Sequence, residues 1–205
     1  MPAWSPRLRQ PNHPADVDGE TSDRPLHGTD LGSLRILGIA GWSGSGKTTL
    51  IVALLPMLRA RGVSVSTVKH AHDGFDIDRP GKDSFRHREA GANEVLVASA
   101  TRWALLHELP GGEPPLADLL ARLAPVDLVL VEGFKTCPFA KIEVFRPALG
   151  KPPIWPNQPD IVAVATDAGL AGCDREILAL GHPEQVAGFI LRFIAAPVSA
   201  AGAIV

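Results

Sequence analysis

The chain predicts an α/β fold of three layers built on a mostly parallel sheet, and three features of its pattern carry that prediction. An apolar run at 34–40 leads into Gly41-Trp42-Ser43-Gly44-Ser45-Gly46-Lys47-Thr48-Thr49, where a helical pattern begins. A second apolar run, at 126–131, is interrupted only by Asp127, as expected of a parallel strand covered on both faces. Elsewhere helical and extended patterns alternate along the chain, the signature of β-α-β units.

Taken in order, the first strand at 34–40 opens into residues 41–49, which match G-x-x-x-x-G-K-[ST] in full. Strand, loop and helix occur in the order a phosphate-binding loop requires, so the architecture expected is a three-layer P-loop NTPase fold. Glycines at 41, 44 and 46 let the backbone curl so that N–H groups point inward at a triphosphate, and the next helix adds its positive N-terminal end. The nucleotide-binding residues expected are Gly41, Gly44, Ser45, Gly46, Lys47, Thr48 and Thr49. Lys47 reaches the β/γ-phosphates, and the Thr48 hydroxyl is placed for Mg²⁺, which takes few protein ligands and keeps waters.

The helix following the loop spans 46–61, with Leu50, Leu54, Met57 and Leu58 on one stripe, Gly62 as its C′ residue and a kink expected at Pro56. A strand at 63–69 and a long polar loop at 70–82 come next. A short helix is expected at 83–90, strands at 94–98 and 103–108, and a helix at 116–124. Strands at 126–131, 141–145 and 161–165 complete the sheet. A last helix starts near Pro183, burying Val186, Phe189, Ile190, Phe193 and Ile194. The proline-rich stretch 147–159 reads as a flap or an exposed connection.

Residues 1–33 are rich in Pro, Asp, His and Gly without periodicity and read as a disordered extension. The nucleotide-binding domain is placed at 34–195, and 196–205 form a tail. A formal net charge of −2 over 205 residues argues against broad electrostatic binding of nucleic acid. Two cysteines, Cys137 and Cys173, lie outside any C-x-x-C pair and fit free thiols in a reducing compartment. The N-terminal residues have no apolar signal region, and no run of about 18 apolar residues occurs. A cytoplasmic protein without membrane attachment is expected.

In a nucleotide-binding α/β sheet the ligand lies at the carboxyl ends of the strands, so the residues just after each strand matter most. Glu132, ending the strand that begins after Asp127, has the position of a Walker B carboxylate and is expected near Mg²⁺. Asp127 lies at the strand's other end, away from the phosphates. The segment from Lys69 to Ser84 is dense in charge and turn residues, and His70, Asp76, Asp78, Lys82, Asp83 and Arg86 are candidates for a switch or partner loop. A solvated loop without a role is the plain alternative. His70, His72 and His87 invite zinc, but no cysteine joins them and the nearby carboxylates suit Mg²⁺ better. Asp167, following 161–165, could accept both N–H donors on guanine's Watson–Crick edge, which points to GTP; an Asx turn is the plain alternative.

GWSGSGKTT at 41–49, VKHAHDGFDIDRPGKDSFRHREAG at 68–91, ASATRWALLHE at 98–108, DLVLVEGFK at 127–135, KIEVFR at 141–146 and IVAVATD at 161–167 together resemble the MobB family of molybdopterin-guanine dinucleotide biosynthesis adaptor proteins. The resemblance covers about residues 34 to 195. It implies a P-loop GTP-binding protein, a homodimer with weak GTPase activity, that assists the molybdenum cofactor guanylyltransferase joining GMP to molybdopterin. It places Gly44, Gly46, Lys47, Thr48 and Thr49 on phosphate and Mg²⁺, and Glu132 on the metal. The Asp76 to Ser84 motif carries over only as a nucleotide- or partner-facing region. Two other classes stay open: a small-molecule kinase of uridine-kinase-like type, needing a base such as Asp76, Asp78 or Asp83, and a module that binds nucleotide or pterin without turnover.

Overall fold

The structure is a computed structural model, and it describes residues 34–71, 75–109 and 111–196. The extension at 1–33, the tail beyond Ala196, His72 and Asp73 lie outside the described residues. Fourteen elements follow in order: β1 (Ile36–Ala40), α1 (Lys47–Arg59), β2 (Val65–Lys69), α2 (Asp83–Glu89), β3 (Glu94–Ala98), β4 (Trp103–His107), α3 (Leu116–Leu120), β5 (Leu128–Glu132), β6 (Lys141–Phe145), 3₁₀ turns at Pro147–Leu149 and Trp155–Asn157, β7 (Ile161–Thr166), β8 (Glu176–Ala179) and α4 (Pro183–Ala195).

Six strands form one sheet in the order β2-β5-β1-β6-β7-β8, and every neighbouring pair is parallel. Strand β1 is central, with Ile39 opposite Glu132 on one side and Ile142 on the other. That register puts the exits of β1, β5 and β6 side by side, which is where a parallel sheet collects ligands.

The sheet is covered on both faces, as its apolar strands require. On one face Leu37, Ile39, Leu128, Leu130, Ile142 and Val144 pack with α1 and α4 in a continuous core. Helix α1 supplies Leu50, Leu54 and Leu58, spaced one turn apart, together with Ile51. On the other face Ile36, Val129 and Val131 meet Leu116 and Leu120 of α3 and Phe139. Farther along that face Ala40, Phe145, Ile161 and Val164 are covered by Trp155, Leu170 and Cys173. The stretch 147–159 is therefore a cover for β6 and β7 and not merely an exposed connection.

Two buried charged side chains of β6 hold the segments beside it, and Glu143 is the one that fastens this cover. Lys141 and Glu143 are fully buried, two residues apart on one face of β6. Lys141 Nζ donates to the carbonyls of Cys137, at 2.5 Å, and Phe139, at 3.0 Å. The Glu143 carboxylate accepts the backbone N–H groups of Ile154 and Trp155, each at 2.8 Å. Buried charge persists where it is hydrogen-bonded in this way. Burial lowers the Lys141 ammonium from its ordinary range and raises the Glu143 carboxyl.

Strand β8 is absent from the expected set, because Glu-Ile-Leu-Ala is too short to register a period and follows a loop rich in Gly and Asp. Helices α1 and α3 end earlier than expected, at Arg59 and Leu120. Pro56 lies at an exposed position inside α1 and does not divide it. In α4 the fully buried residues are Val186, Ala187 and Ile190, whereas Phe189, Phe193 and Ile194 are only partly buried at the margin of the core. Strands β3 and β4 pair antiparallel as a separate two-stranded sheet. Among the described residues no helix is long and apolar enough to cross a membrane, and Cys137 and Cys173 are free.

Glu143→Ala leaves two backbone donors buried without an acceptor and is expected to lower unfolding free energy by about 2–5 kcal/mol in denaturant titration. The raised carboxyl binds its proton more tightly in the folded chain than in the unfolded chain. Its contribution is therefore present below the unfolded-state value and is lost as pH rises through the folded-state value. Relative to Glu143→Gln, which does not titrate, the wild-type chain loses stability across the weakly acidic range; parallel pH profiles for the two chains contradict this.

Candidate nucleotide-binding site

The loop between β1 and α1 owes its shape to glycine. Gly41, Gly44 and Gly46 have φ of 141°, 78° and 100°, a region that residues with a Cβ enter at a cost. At Gly41 space as well as conformation excludes a side chain, since a Cβ there would lie 2.5 Å from the Val144 carbonyl oxygen and 2.7 Å from Ser45 Oγ. The start of α1 has no side-chain cap and no acidic residue in its first turn. Its N–H groups and positive dipole end therefore face the loop without a competing carboxylate. Ser45 Oγ is buried without a hydrogen-bond partner.

Lys47 Nζ folds back over the loop and donates to the carbonyls of Gly41, at 3.1 Å, and Trp42, at 3.0 Å. Partial burial pulls its pKa below the ordinary lysine value, with the nearby Glu132 charge opposing that effect. Carbonyl acceptors of this kind are weaker partners than phosphate oxygens, so the side chain is available to an anion in the loop.

Across the loop, Thr48 Oγ1 lies 3.1 Å from each carboxylate oxygen of Glu132. The parallel register carries Glu132 there from the end of β5. A hydroxyl and a carboxylate converging beside a phosphate cradle are the hard oxygen donors that suit Mg²⁺, so these two residues fit the expected ion. Among the described residues no group of three or more His, Cys, Asp or Glu side chains could hold a metal, and His72, part of the zinc reading, lies outside them. Asp127 is occupied elsewhere, accepting from Ser64 N at 2.7 Å and Ser64 Oγ at 2.5 Å.

Gly133 and Phe134, which follow Glu132, both have positive φ, 102° and 48°. A Cβ on Gly133 would lie 2.6 Å from His70 Cβ, and the His70 and Phe134 rings are 4.7 Å apart. His70 N donates to the Glu132 carbonyl at 2.8 Å, and its Nε2 lies 2.8 Å from Glu113 Oε1. His70 thus sits directly behind the Glu132 turn.

The remaining loop candidates are placed differently. Asp76 accepts from Asp78 N, and its other oxygen lies 2.6 Å from Arg88; Arg88 also approaches Glu108, at 3.5 Å. Asp78 accepts from Arg79 N and Ser84 Oγ. Asp76 and Asp78 therefore fasten the loop to Arg88 and Ser84 of α2, and Arg88 in turn reaches Glu108 after the β3–β4 hairpin. Asp83 and Arg86 form an exposed pair 4.0 Å apart, and Lys82 precedes α2 with its side chain exposed. Among the described residues none of 75–88 is hydrogen-bonded or ion-paired to residues 41–49.

Asp167 follows β7 and is joined to the loop by a residue that the sequence reading does not single out. Arg146 Nε donates to the Ser45 carbonyl at 2.9 Å, and its Nη1 lies 2.8 Å from Asp167 Oδ2. Arg146 follows β6, so inspection of the residue after every strand would have found it. A cleft of about 490 Å³, lined by Thr166, Asp167, Ala168, Gly169 and His182, opens beside Asp167. A larger groove of about 840 Å³ lies at the opposite end of α1, between Leu55 and Val65, and contains none of these residues.

Comparison with known proteins places this geometry in a family. Residues 36–167 match the family described as molybdopterin guanine dinucleotide synthesis protein B. The chain is 42% identical over 163 residues to the molybdopterin-guanine dinucleotide biosynthesis adapter protein of Escherichia coli K12, covering 78% of this chain and 93% of that one. It is 44% identical to the corresponding adapter protein of Haemophilus influenzae, covering 78% and 89%. A crystal structure of molybdopterin-guanine biosynthesis protein B superposes with a TM-score of 0.62 at 32% identity, over 77% of this chain and 98% of that chain. With its glycine-shaped loop after β1 and its parallel sheet, the chain belongs to the MobB family of molybdopterin-guanine dinucleotide biosynthesis adapter proteins.

Proposed function

We propose that the chain is a GTP- and Mg²⁺-dependent adapter with weak GTPase activity, which assists the molybdenum cofactor guanylyltransferase in joining GMP to molybdopterin. The observation that carries this reading is the facing of Thr48 and Glu132 across a phosphate loop whose far side is tied through Arg146 to Asp167. In it Gly41, Gly44, Ser45, Gly46, Lys47, Thr48 and Thr49 hold the triphosphate, and Thr48 with Glu132 holds the ion. Bound Mg²⁺ supplies neutralisation of phosphate charge. Asp167 receives guanine in the adjoining cleft, Arg146 fixing one carboxylate oxygen while the other stays open to the base.

Slow hydrolysis agrees with the residues at hand. No glutamine adjoins Glu132 to position a water. Two arginines that would otherwise stabilise transferring charge are engaged, Arg88 by Asp76 and Glu108, and Arg146 by Ser45 and Asp167. A supplied arginine is worth about 10³–10⁵ in turnover. The kinase reading is weakened by the same geometry, because Asp76 and Asp78 are committed to holding their loop. The family relationship favours the adapter as well.

The exposed face of the β3–β4 hairpin supports a homodimer in this reading. Leu96 and Leu105 face each other across it, with Trp103 two residues along the same face, and all three are exposed, Trp103 at 69%. An isolated two-stranded ladder is marginal in water, and a second copy of the chain covering this face would stabilise it.

Calorimetric titration with GTP, ATP and their non-hydrolysable analogues tests the nucleotide reading. GTP is expected to bind preferentially with slow turnover; ATP preference, or rapid phosphate transfer to a small alcohol, contradicts it. Asp167→Asn should reduce the preference for GTP over ATP by roughly tenfold, whereas unchanged discrimination removes Asp167 from base recognition. Trp103→Lys should shift the chain from dimer to monomer in sedimentation analysis, and a dimer unaffected by that charge contradicts the hairpin interface.

A further inference from the structure

The phosphate loop is bordered by more cations than its own lysine. Lys135 Nζ lies 5.1 Å from the centroid of the Trp42 ring, and Lys151 Nζ lies 5.9 Å from it. Trp42 belongs to the loop: its carbonyl accepts from Lys47 Nζ, and its indole N–H donates to the Pro152 carbonyl at 2.7 Å. Ammonium groups from two separate segments therefore meet on one ring beside Lys47. Among the described residues none of Lys47, Lys135 and Lys151 takes part in an ion pair.

Both segments are held firmly. Lys135 follows the Gly133-Phe134 turn, and Phe134 is the one non-glycine with positive φ among the described residues. Such a conformation at a bulky residue is costly and persists where its surroundings impose it; here the His70 side chain packs against both turn residues. Lys151 lies in the cover that Glu143 fastens at Ile154 and Trp155. Glu132 offsets part of the charge at Lys47, but three ammonium groups exceed one carboxylate, and a polyanion relieves the repulsion that remains. The Lys135 charge also helps lower the Lys47 pKa, after burial. A ring face holds an ammonium weakly compared with a phosphate oxygen, so both lysines can leave Trp42 for such a ligand.

We propose that Lys135 and Lys151 form a two-cation clamp on the terminal phosphate of the nucleoside triphosphate held by residues 41–49, so that the site distinguishes triphosphate from diphosphate. The terminal phosphate is assigned because Lys135 follows Glu132, which faces Thr48 at the end of the cradle where Mg²⁺ fits. The clamp rests on the reading of that loop as a nucleoside triphosphate site.

The test is calorimetric titration of the full chain with a non-hydrolysable GTP analogue and with GDP, both with Mg²⁺. Lys135→Ala and Lys151→Ala should each weaken the analogue about tenfold, and GDP by less than about twofold. Lys135→Arg should restore most of the loss. Arg61→Ala, at the far end of α1, should bind as wild type, and thermal melts should show each variant folded. Unchanged analogue affinity in both alanine variants overturns the clamp, as do equal losses for analogue and GDP. A wild-type chain that binds neither nucleotide overturns the loop reading itself, a result distinguishable from failure of the clamp alone.

Discussion

The close approach of Gly41 to β6 is the constraint on which the rest of the site depends. With the Val144 carbonyl only 2.5 Å from where a Cβ would stand, the chain leaving β1 must be glycine and must turn beside β6. That turn starts the curl through Gly44 and Gly46, which delivers the uncapped end of α1 to the carboxyl edge of the sheet. Because β1 is the central strand, its neighbours β5 and β6 bring Glu132 and Arg146 to opposite sides of the loop. The chemistry is thus arranged by strand order before any side chain is considered.

Strand β6 carries a second layer of the same design. Its buried face bears Lys141 and Glu143 where hydrophobic residues would be expected, and both are bonded to backbone groups of covering segments. Hydrophobic contact alone is non-directional, whereas two N–H groups on one carboxylate fix where the cover sits. Position matters here because the same cover presents the Pro152 carbonyl to Trp42 and places Lys151 over its ring. The burial of ionisable groups on β6 and the cationic rim of the phosphate loop are consequently linked through one segment of chain.

Much of this was legible in the sequence where a pattern has a single physical meaning. The glycine-rich turn between β1 and α1, the strand ending at Glu132 and the apolar stripe of α1 depend on local order and spacing, and each appears where expected. Strand β8 was not legible, since four residues on a sheet edge carry too little periodicity. The alternation Lys-Ile-Glu-Val-Phe in β6 conceals a strand buried on both sides, because nothing local reveals that distant backbone donors will satisfy the charge. Trp42, Lys135 and Lys151 escaped for a related reason, since their partners are set by tertiary contacts and leave no spacing in the chain, whereas Arg146 stands directly after β6 and was within reach of a strand-by-strand inspection. The carboxylates of 76–83 illustrate the converse, since Asp76 and Asp78 read as candidates for a switch or partner loop, and the bonds they make run within that loop and to α2.

In the adapter proposed above, nucleotide held in the loop at 41–49 governs the chain's action. The most direct test is a reconstituted reaction of purified molybdenum cofactor guanylyltransferase, molybdopterin and GTP, with yield of the guanine dinucleotide cofactor measured without the chain, with wild type and with Lys47→Ala. Increased yield with wild type and none with the variant, provided the variant is folded, is the result predicted. Equal stimulation by both chains would contradict the account by showing that assistance does not require the phosphate loop.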